Sequence, residues 1–315
     1  MRIVIVTPAP PGSRHGNRTT ARRWANLLRD LGHQVTIQQA WNGRRCDLLV
    51  ALHARRSLPS IKSFHHSYPQ HPLIIALTGT DLYRDLARHQ GARRSLTWTH
   101  RLIVLNRLAP DVLPPSVRSR VVVITQSAWG GAAAPSVRHF DICVLAHLRP
   151  VKDPFRTAMA VRLLPRNSRV RVLQMGRALT PQMKRRVLAE KRRNARYLWY
   201  GDLPRWRALA VLARCRLLVI SSRAEGGANA VSEALARDVP ILASRIPGNL
   251  GLLGNRYPGT FPVGDTRHLA RLIHCAETDP VFLNRLKAGC RRAKQLIDPD
   301  RERAAWQRLL QQIRP

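Results

Sequence analysis

No apolar run in these 315 residues approaches the roughly 20 that a membrane-crossing helix needs. The longest, such as Leu48 to Leu52 and Leu73 to Leu77, have the length of a strand. The opening Met1-Arg-Ile-Val-Ile-Val-Thr7 lacks a signal-peptide pattern, because Pro8, Pro10 and Pro11 cut its apolar stretch short. A cytoplasmic protein with no membrane contact is therefore expected. The five cysteines form no CxxC pair and are odd in number, which argues against a disulfide framework and against a structural zinc site. Internal repeats and low-complexity segments are missing too.

Acidic residues are the scarcest class relative to their counterparts. Eighteen Asp and Glu stand against 54 Lys and Arg, a formal net charge of +36. Such an excess points to anionic partners: nucleic acid, anionic lipid or anionic small molecules. The arginines are spread along the whole chain, often on the polar faces of expected helices, so most read as solvated surface. No aromatic–basic RNA-binding signature and no zinc finger accompany them.

What is present is alternation. Strand-like runs at Ile3 to Thr7, Gln34 to Gln38, Asp47 to Leu52, Leu73 to Leu77, Leu102 to Leu105 and Val121 to Ile124 occur in the first half, with a helix at Thr19 to Leu31. Trp129-Gly-Gly-Ala-Ala-Ala-Pro135 then reads as a linker. A second series has strands at Asp141 to Ala146, Val170 to Met175, Tyr197 to Tyr200, Arg216 to Ser221 and Pro240 to Ala243. Helices are expected between them, from Pro154, around Pro181 to Lys191, at Pro204 to Arg214 and at Ala228 to Arg237. This is an α/β pattern with parallel sheets. It predicts two Rossmann-like domains, 1–135 and 136–297, facing across a cleft, followed by a terminal helix over 298–315 that crosses back to the first domain.

Two turns of the second half have the makings of a phosphate site. Strand Arg216 to Ser222 runs into Arg223-Ala-Glu225-Gly-Gly-Ala-Asn229 and then a helix, so Gly226, Gly227, Ala228 and Asn229 place backbone N–H groups at a helix N-terminus. Glu233 lies in the first turns of that helix, where its carboxylate can accept from a ribose diol. Spacing alone is equally compatible with an ordinary turn bearing exposed glutamates. The other turn is Ala146-His-Leu-Arg149-Pro-Val-Lys152-Asp-Pro154. Asp153 and Pro154 suit N-cap and N1 of the next helix, leaving Lys152 at its mouth as a point charge for a phosphate.

In the first half, Arg14, Gly16, Asn17 and Arg18 form an anion-friendly loop before a helix. His53, Arg55 and Arg56 follow one strand end, and Thr78, Gly79, Thr80 and Asp81 follow another. Asp81 reads either as a partner for a base or sugar hydroxyl or as a helix cap. Asp298-Pro-Asp300 has the text of a metal-binding Asp-x-Asp pair, but it opens the terminal helix and reads as capping. His65, His66 and His71 lack an i, i+4 spacing and sit in what reads as a Pro/Ser loop. No metal and no cofactor are expected.

Glu225 and Glu233, with seven residues between them, resemble the paired-glutamate motif of GT-B glycosyltransferases. The resemblance implies that Glu233 binds the nucleotide ribose and that Glu225 lies near the donor hexose. Lys152 matches a diphosphate-contacting lysine that follows a Gly-Arg pair by five residues. His147 stands at that arginine position here, so the resemblance implies that Arg149 supplies the guanidinium in its place.

A narrower set of stretches covers nearly the whole chain. It comprises Gly16 to Trp24, Ala51 to Arg56, Leu77 to Arg84, His147 to Phe155, Glu225 to Asn229, Gly248 to Gly254 and Phe261 to Asp265. Together they are similar to bacterial selenosugar synthases of selenoneine biosynthesis. This implies a UDP-sugar donor, UDP-N-acetylglucosamine or UDP-glucose, and selenophosphate as acceptor, with UDP and phosphate released. Arg14, Arg18, Arg55 and Arg56 would hold the acceptor's phosphoryl oxygens, while His53 would orient the acceptor or assist phosphate loss. Two other readings stand beside it. One is a glycosyltransferase acting on a sugar or lipid hydroxyl; the other is a nucleic-acid-binding protein, which leaves the paired glutamates unexplained.

Overall fold

Strands β1 (Arg2–Val6), β2 (Gln34–Gln38), β3 (Leu48–Leu52), β4 (Leu73–Leu77), β5 (Arg101–Val104) and β6 (Val121–Val123) form the first of two sheets in the computed structural model, which describes residues 1–313. Their order is β2-β1-β3-β4-β5-β6 and every pair is parallel. All five residues of both β3 and β4 are buried, as a parallel sheet covered on two faces requires. Alternate residues serve opposite cores. Ile3, Ile5, Val50 and Ile74 pack with Trp24 and Leu28 of the helix Gly16–Asp30, whereas Val4, Leu49 and Ile75 pack with Ile61 and Phe64 of the helix Leu58–Ser67.

The terminal helix Pro299–Gln311 belongs to this first unit, together with Met1–Ser127 and Glu225–Ala228. Trp306 meets Trp24 edge-on at 5.1 Å between ring centroids, and Glu302 Oε1 accepts from Trp24 Nε1 at 2.7 Å. The tail thus returns to the first half, as expected from the sequence. Residues 314 and 315 of the expected tail 298–315 lie outside the described residues. Asp298 is the N-cap, its Oδ1 accepting from Asp300 N at 2.8 Å. Asp298→Ala is accordingly expected to cost about 1 kcal/mol of stability, read as a lower midpoint in denaturant unfolding with the slope unchanged.

The second unit spans Ala128–Ala224 and Asn229–Ile297. Its strands are β7 (Phe140–Leu145), β8 (Val170–Met175), β9 (Tyr197–Trp199), β10 (Leu217–Ile220), β11 (Ile241–Ser244) and β12 (Thr260–Phe261), in the parallel order β12-β11-β10-β7-β8-β9. The chain leaves β7 towards β8 on one side, while β10 flanks it on the other. In the first sheet β1 has the same place between β2 and β3. These are topological switch points, where the turns after adjacent strands diverge and leave room for a ligand.

The segment around His65 and His66 is helical, which corrects its reading as a loop. Pro59 occupies the first turn, and Ile61 and Phe64 supply a buried i, i+3 stripe. His65 stacks on Trp98 at 5.1 Å, and His71 Nδ1–H donates to Cys46 O at 2.9 Å. No helix among the described residues is long and apolar enough to cross a membrane.

Candidate active site

The turn after β7 carries Lys152 and is pinned from three sides. Pro150–Lys152 form a single 3₁₀ turn. Ser221 Oγ, just beyond β10, donates to Lys152 O at 3.2 Å and to Asp153 O at 2.9 Å, and Arg223 N donates to Val151 O at 2.8 Å. Behind it, Gly176 lies so close that a Cβ there would stand 1.9 Å from Ala146 O. Only glycine fits. His147, at the position where the resemblance has arginine, uses Nδ1 to accept from Arg177 N at 3.1 Å, tying the turns after β7 and β8 together. Arg149 is half-buried and immediately precedes the 3₁₀ turn.

One local expectation is corrected. Asp153 is not an N-cap and Pro154 is not N1: the helix is Arg156–Val161 and its N-cap is Phe155. An N-cap residue has extended backbone. Asp153 instead takes φ +42°, a left-handed conformation that aspartate tolerates, and its Oδ2 accepts from Arg156 Nε at 2.9 Å. Lys152 therefore closes a 3₁₀ turn, four residues before that helix begins.

The turn after β10 holds both glutamates. Glu225 is buried, and so is Glu233 within the helix Asn229–Leu235. Glu225–Ala228 group with the first unit, where Asn106 Nδ2 donates to Gly226 O at 2.6 Å. A Cβ on Gly226 would stand 2.6 Å from the Thr78 carbonyl carbon, and one on Gly79, at φ +136°, 2.6 Å from Gly226 N. Both glycines are demanded by that backbone approach. Gly227 lies against Leu105, Ala228 is buried and Asn229 opens the helix.

In the first unit, three turns gather on the carboxyl ends of β1, β3 and β4. Arg14 is exposed, while Asn17 and Arg18 are half-buried in the first turn of the helix that Gly16 begins. Asp81 is fully buried, its carboxylate accepting from Thr78 N at 3.0 Å, Gly79 N at 2.8 Å and Ala54 N at 3.1 Å. These bonds give Asp81 the work of shaping the turn. It begins a π-helical turn, Asp81–Asp85, an uncommon element often found at functional sites. Arg55 is exposed and pairs with Asp85 at 3.2 Å.

His53 is buried at φ +74°, in the left-handed region. Arg56 N donates to its Nδ1 at 3.3 Å, which leaves the proton on Nε2, 3.1 Å from Thr80 Oγ1. Burial lowers the His53 pKa below the usual histidine value; the Asp81 carboxylate raises it, Arg56 lowers it further, and Asp85 raises it. The imidazole is thus neutral at pH 7. Because the folded-state pKa is depressed, its contribution to stability is present above the ordinary value of 6.5 and is lost as pH falls through the folded value. His53→Asn keeps a residue that accepts the left-handed backbone and removes the titration. Its melting temperature is expected to fall less between pH 7.5 and pH 5.5 than that of the unaltered protein.

Two features had no signal in the sequence. Arg205 Nη2 lies 2.6 Å from Glu233 Oε1, and Asn106 joins Gly226 to the Tyr83 hydroxyl, 3.1 Å away. Each pair is distant in sequence. Among the described residues, no group of three or more His, Cys, Asp or Glu side chains is placed to hold a metal ion.

Two Rossmann-like units with turns gathered at their switch points define the GT-B architecture. Solved structures share it. HepE of Anabaena, in complex with UDP and glucose, matches with a TM-score of 0.79 at 15% identity over 99% of each chain. Sucrose-phosphate synthase of Thermosynechococcus elongatus gives 0.78 at 14%, over 99% of this chain and 98% of that one. The UDP-forming α,α-trehalose-phosphate synthase of Burkholderia xenovorans, in complex with glucose-6-phosphate, gives 0.70 at 11%, over 96% and 79%. At such identities the likeness is one of fold. The family comes from the sequence: residues 134–293, just over half of the chain, match the model of glycosyl transferases group 1, and the chain belongs to that family. Arg149, Lys152, Glu225 and Glu233 all fall within the matched range.

Proposed function

We propose that this chain transfers a glycosyl residue from a UDP-sugar, UDP-N-acetylglucosamine or UDP-glucose, to selenophosphate, as a selenosugar synthase. The observation that carries the donor half is the stitching of the Lys152 turn to the end of β10 through Ser221 and Arg223. It fixes the backbone of Lys152 beside the strand that leads to Glu225 and Glu233. HepE, of similar fold, was solved with UDP and glucose, which supports a uridine donor here.

The acceptor half rests on the resemblance to selenosugar synthases and on the cations after β1 and β3: Arg14, Arg18, Arg55 and Arg56. Guanidinium groups bind phosphoryl oxygens through paired, charge-assisted hydrogen bonds. In the proposed reaction selenium attacks C1 of the sugar, the bond from C1 to the diphosphate oxygen breaks, and UDP leaves with the electron pair. Water then cleaves the phosphorus–selenium bond, giving a 1-selenosugar and phosphate. Lys152 and Arg149 offset the charge that develops on UDP, a role for which this scheme uses no metal. Gly226, Gly227, Ala228 and Asn229 line the donor turn, Glu233 takes the ribose, and Glu225 stands near the hexose. Gly16, Asn17, Thr78, Gly79 and Thr80 shape the acceptor turns around Asp81. His53, a neutral imidazole, orients the acceptor or assists the loss of phosphate. All five cysteines are free thiols, in keeping with a reducing compartment, and we place the protein in the cytoplasm.

The test is direct. Purified protein incubated with UDP-N-acetylglucosamine or UDP-glucose and selenophosphate is expected to release UDP and form a sugar carrying the selenium isotope pattern in mass spectra. UDP released only with a hydroxylated acceptor would overturn the selenium assignment and leave a conventional glycosyltransferase.

A further inference from the structure

Glu233 has an ion-pair partner that arrives from a different βα unit. Arg205 opens the helix Arg205–Ala213, which follows β9, while Glu233 belongs to the helix that follows β10. The guanidinium Nη2 stands 2.6 Å from Oε1, with the Glu233 side chain 8% exposed and that of Arg205 47% exposed. The carboxylate thus lies beneath the surface, and the guanidinium holds it from the rim.

A second cation is close but otherwise engaged. Arg237 Nη1 donates to the Glu233 carbonyl oxygen and to Trp129 O, both at 3.1 Å. Burial lowers the Arg237 pKa, Glu233 raises it and Arg205 lowers it, so the three charges act on one another. Arg237 is tied to backbone oxygens. Arg205 bonds the carboxylate itself.

We propose that Arg205 is a positioning residue for the nucleotide, fixing the Glu233 carboxylate in the orientation from which it accepts the ribose hydroxyls. The proposal rests on the donor reading above, in which Glu233 binds ribose. A carboxylate has about four acceptor positions, so the bond to Arg205 does not by itself close the group to a diol. A glutamate side chain has several rotamers open to it in principle, and a bond that favours one of them lowers the ordering cost of binding. Sharing a single charge-assisted bond, Arg205 selects one rotamer in advance.

The experiment compares UDP with 2′-deoxy-UDP by calorimetric titration of the full chain, unaltered and as Arg205→Ala and Arg205→Lys. The unaltered protein is expected to prefer UDP by about tenfold, the worth of one hydrogen bond to a charged group. Arg205→Ala is expected to lose most of that preference, with UDP weakened roughly tenfold and 2′-deoxy-UDP changed by less than about twofold. Arg205→Lys, which supplies one donor and the same charge, is expected to restore the preference to within about threefold. If Arg205→Ala weakens both ligands equally, or leaves the preference intact, Arg205 does not position Glu233. If the unaltered protein binds UDP without preferring it, the ribose role of Glu233 fails first. A protein that binds neither nucleotide fails the donor reading as a whole.

Discussion

Lys152→Ala is expected to lower kcat by about 10²–10³-fold while changing the KM for the sugar nucleotide far less. The physical reason is timing. The diphosphate of a sugar nucleotide already carries its negative charge before the reaction, in water as well as when bound. As the glycosidic bond breaks, a further negative charge develops on the departing oxygen, and a cation held in place gains most at that moment. The Lys152 backbone has no freedom to drift, since its own carbonyl and that of Asp153 both accept from Ser221 Oγ. Steady-state kinetics of the variant, with UDP release as the readout, separates the two constants. A normal kcat would remove Lys152 from the chemistry, whatever its effect on KM.

Glu233→Ala is expected to act on the other constant. Losing a charged acceptor for the ribose hydroxyls corresponds to about 1.5–3 kcal/mol, or roughly 10- to 100-fold in donor affinity. The fold itself should change little. The mutation removes the ion pair with Arg205, and a pair with so exposed an arginine contributes about 0–1 kcal/mol. A binding isotherm with UDP and a thermal melt on the same sample distinguish the two effects. Unchanged affinity with a normal melt would show that the carboxylate does not touch the nucleotide.

Much of the sheet framework was legible in the sequence because parallel strands covered on both faces are written as short apolar runs. Leu48-Leu-Val-Ala-Leu52 and Leu73-Ile-Ile-Ala-Leu77 are such runs, and β2, β4 and β8 begin and end where their residues suggested. The helix over Leu58–Ser67 was not legible, because Ser, Pro and His dominate its composition and its buried stripe is short. The N-cap expected at Asp153 failed for a local reason: its backbone is left-handed where an N-cap is extended, and its carboxylate accepts from the Arg156 side chain.

At the candidate site, sequence reasoning reaches residues that share a turn and stops at those that do not. Glu225, Gly226, Gly227 and Glu233 stand within one strand–turn–helix unit, so their spacing carries information. Arg205 lies 28 residues before Glu233 and meets it only because the helices after β9 and β10 pack together. Asn106 lies 120 residues before Gly226. No periodicity encodes such pairs. Asp81 shows the converse: its place in Leu77-Thr-Gly-Thr-Asp81 left open a ligand partner or a cap, and the geometry has its carboxylate gathering three backbone N–H groups.

In the proposed reaction the turns after β7 and β10 together hold the nucleotide sugar. A crystal structure of the protein soaked or co-crystallised with UDP tests it most directly. The diphosphate is expected within hydrogen-bond distance of Lys152 Nζ, and the ribose hydroxyls on the Glu233 carboxylate. UDP bound with neither Lys152 nor Glu233 in contact would contradict it.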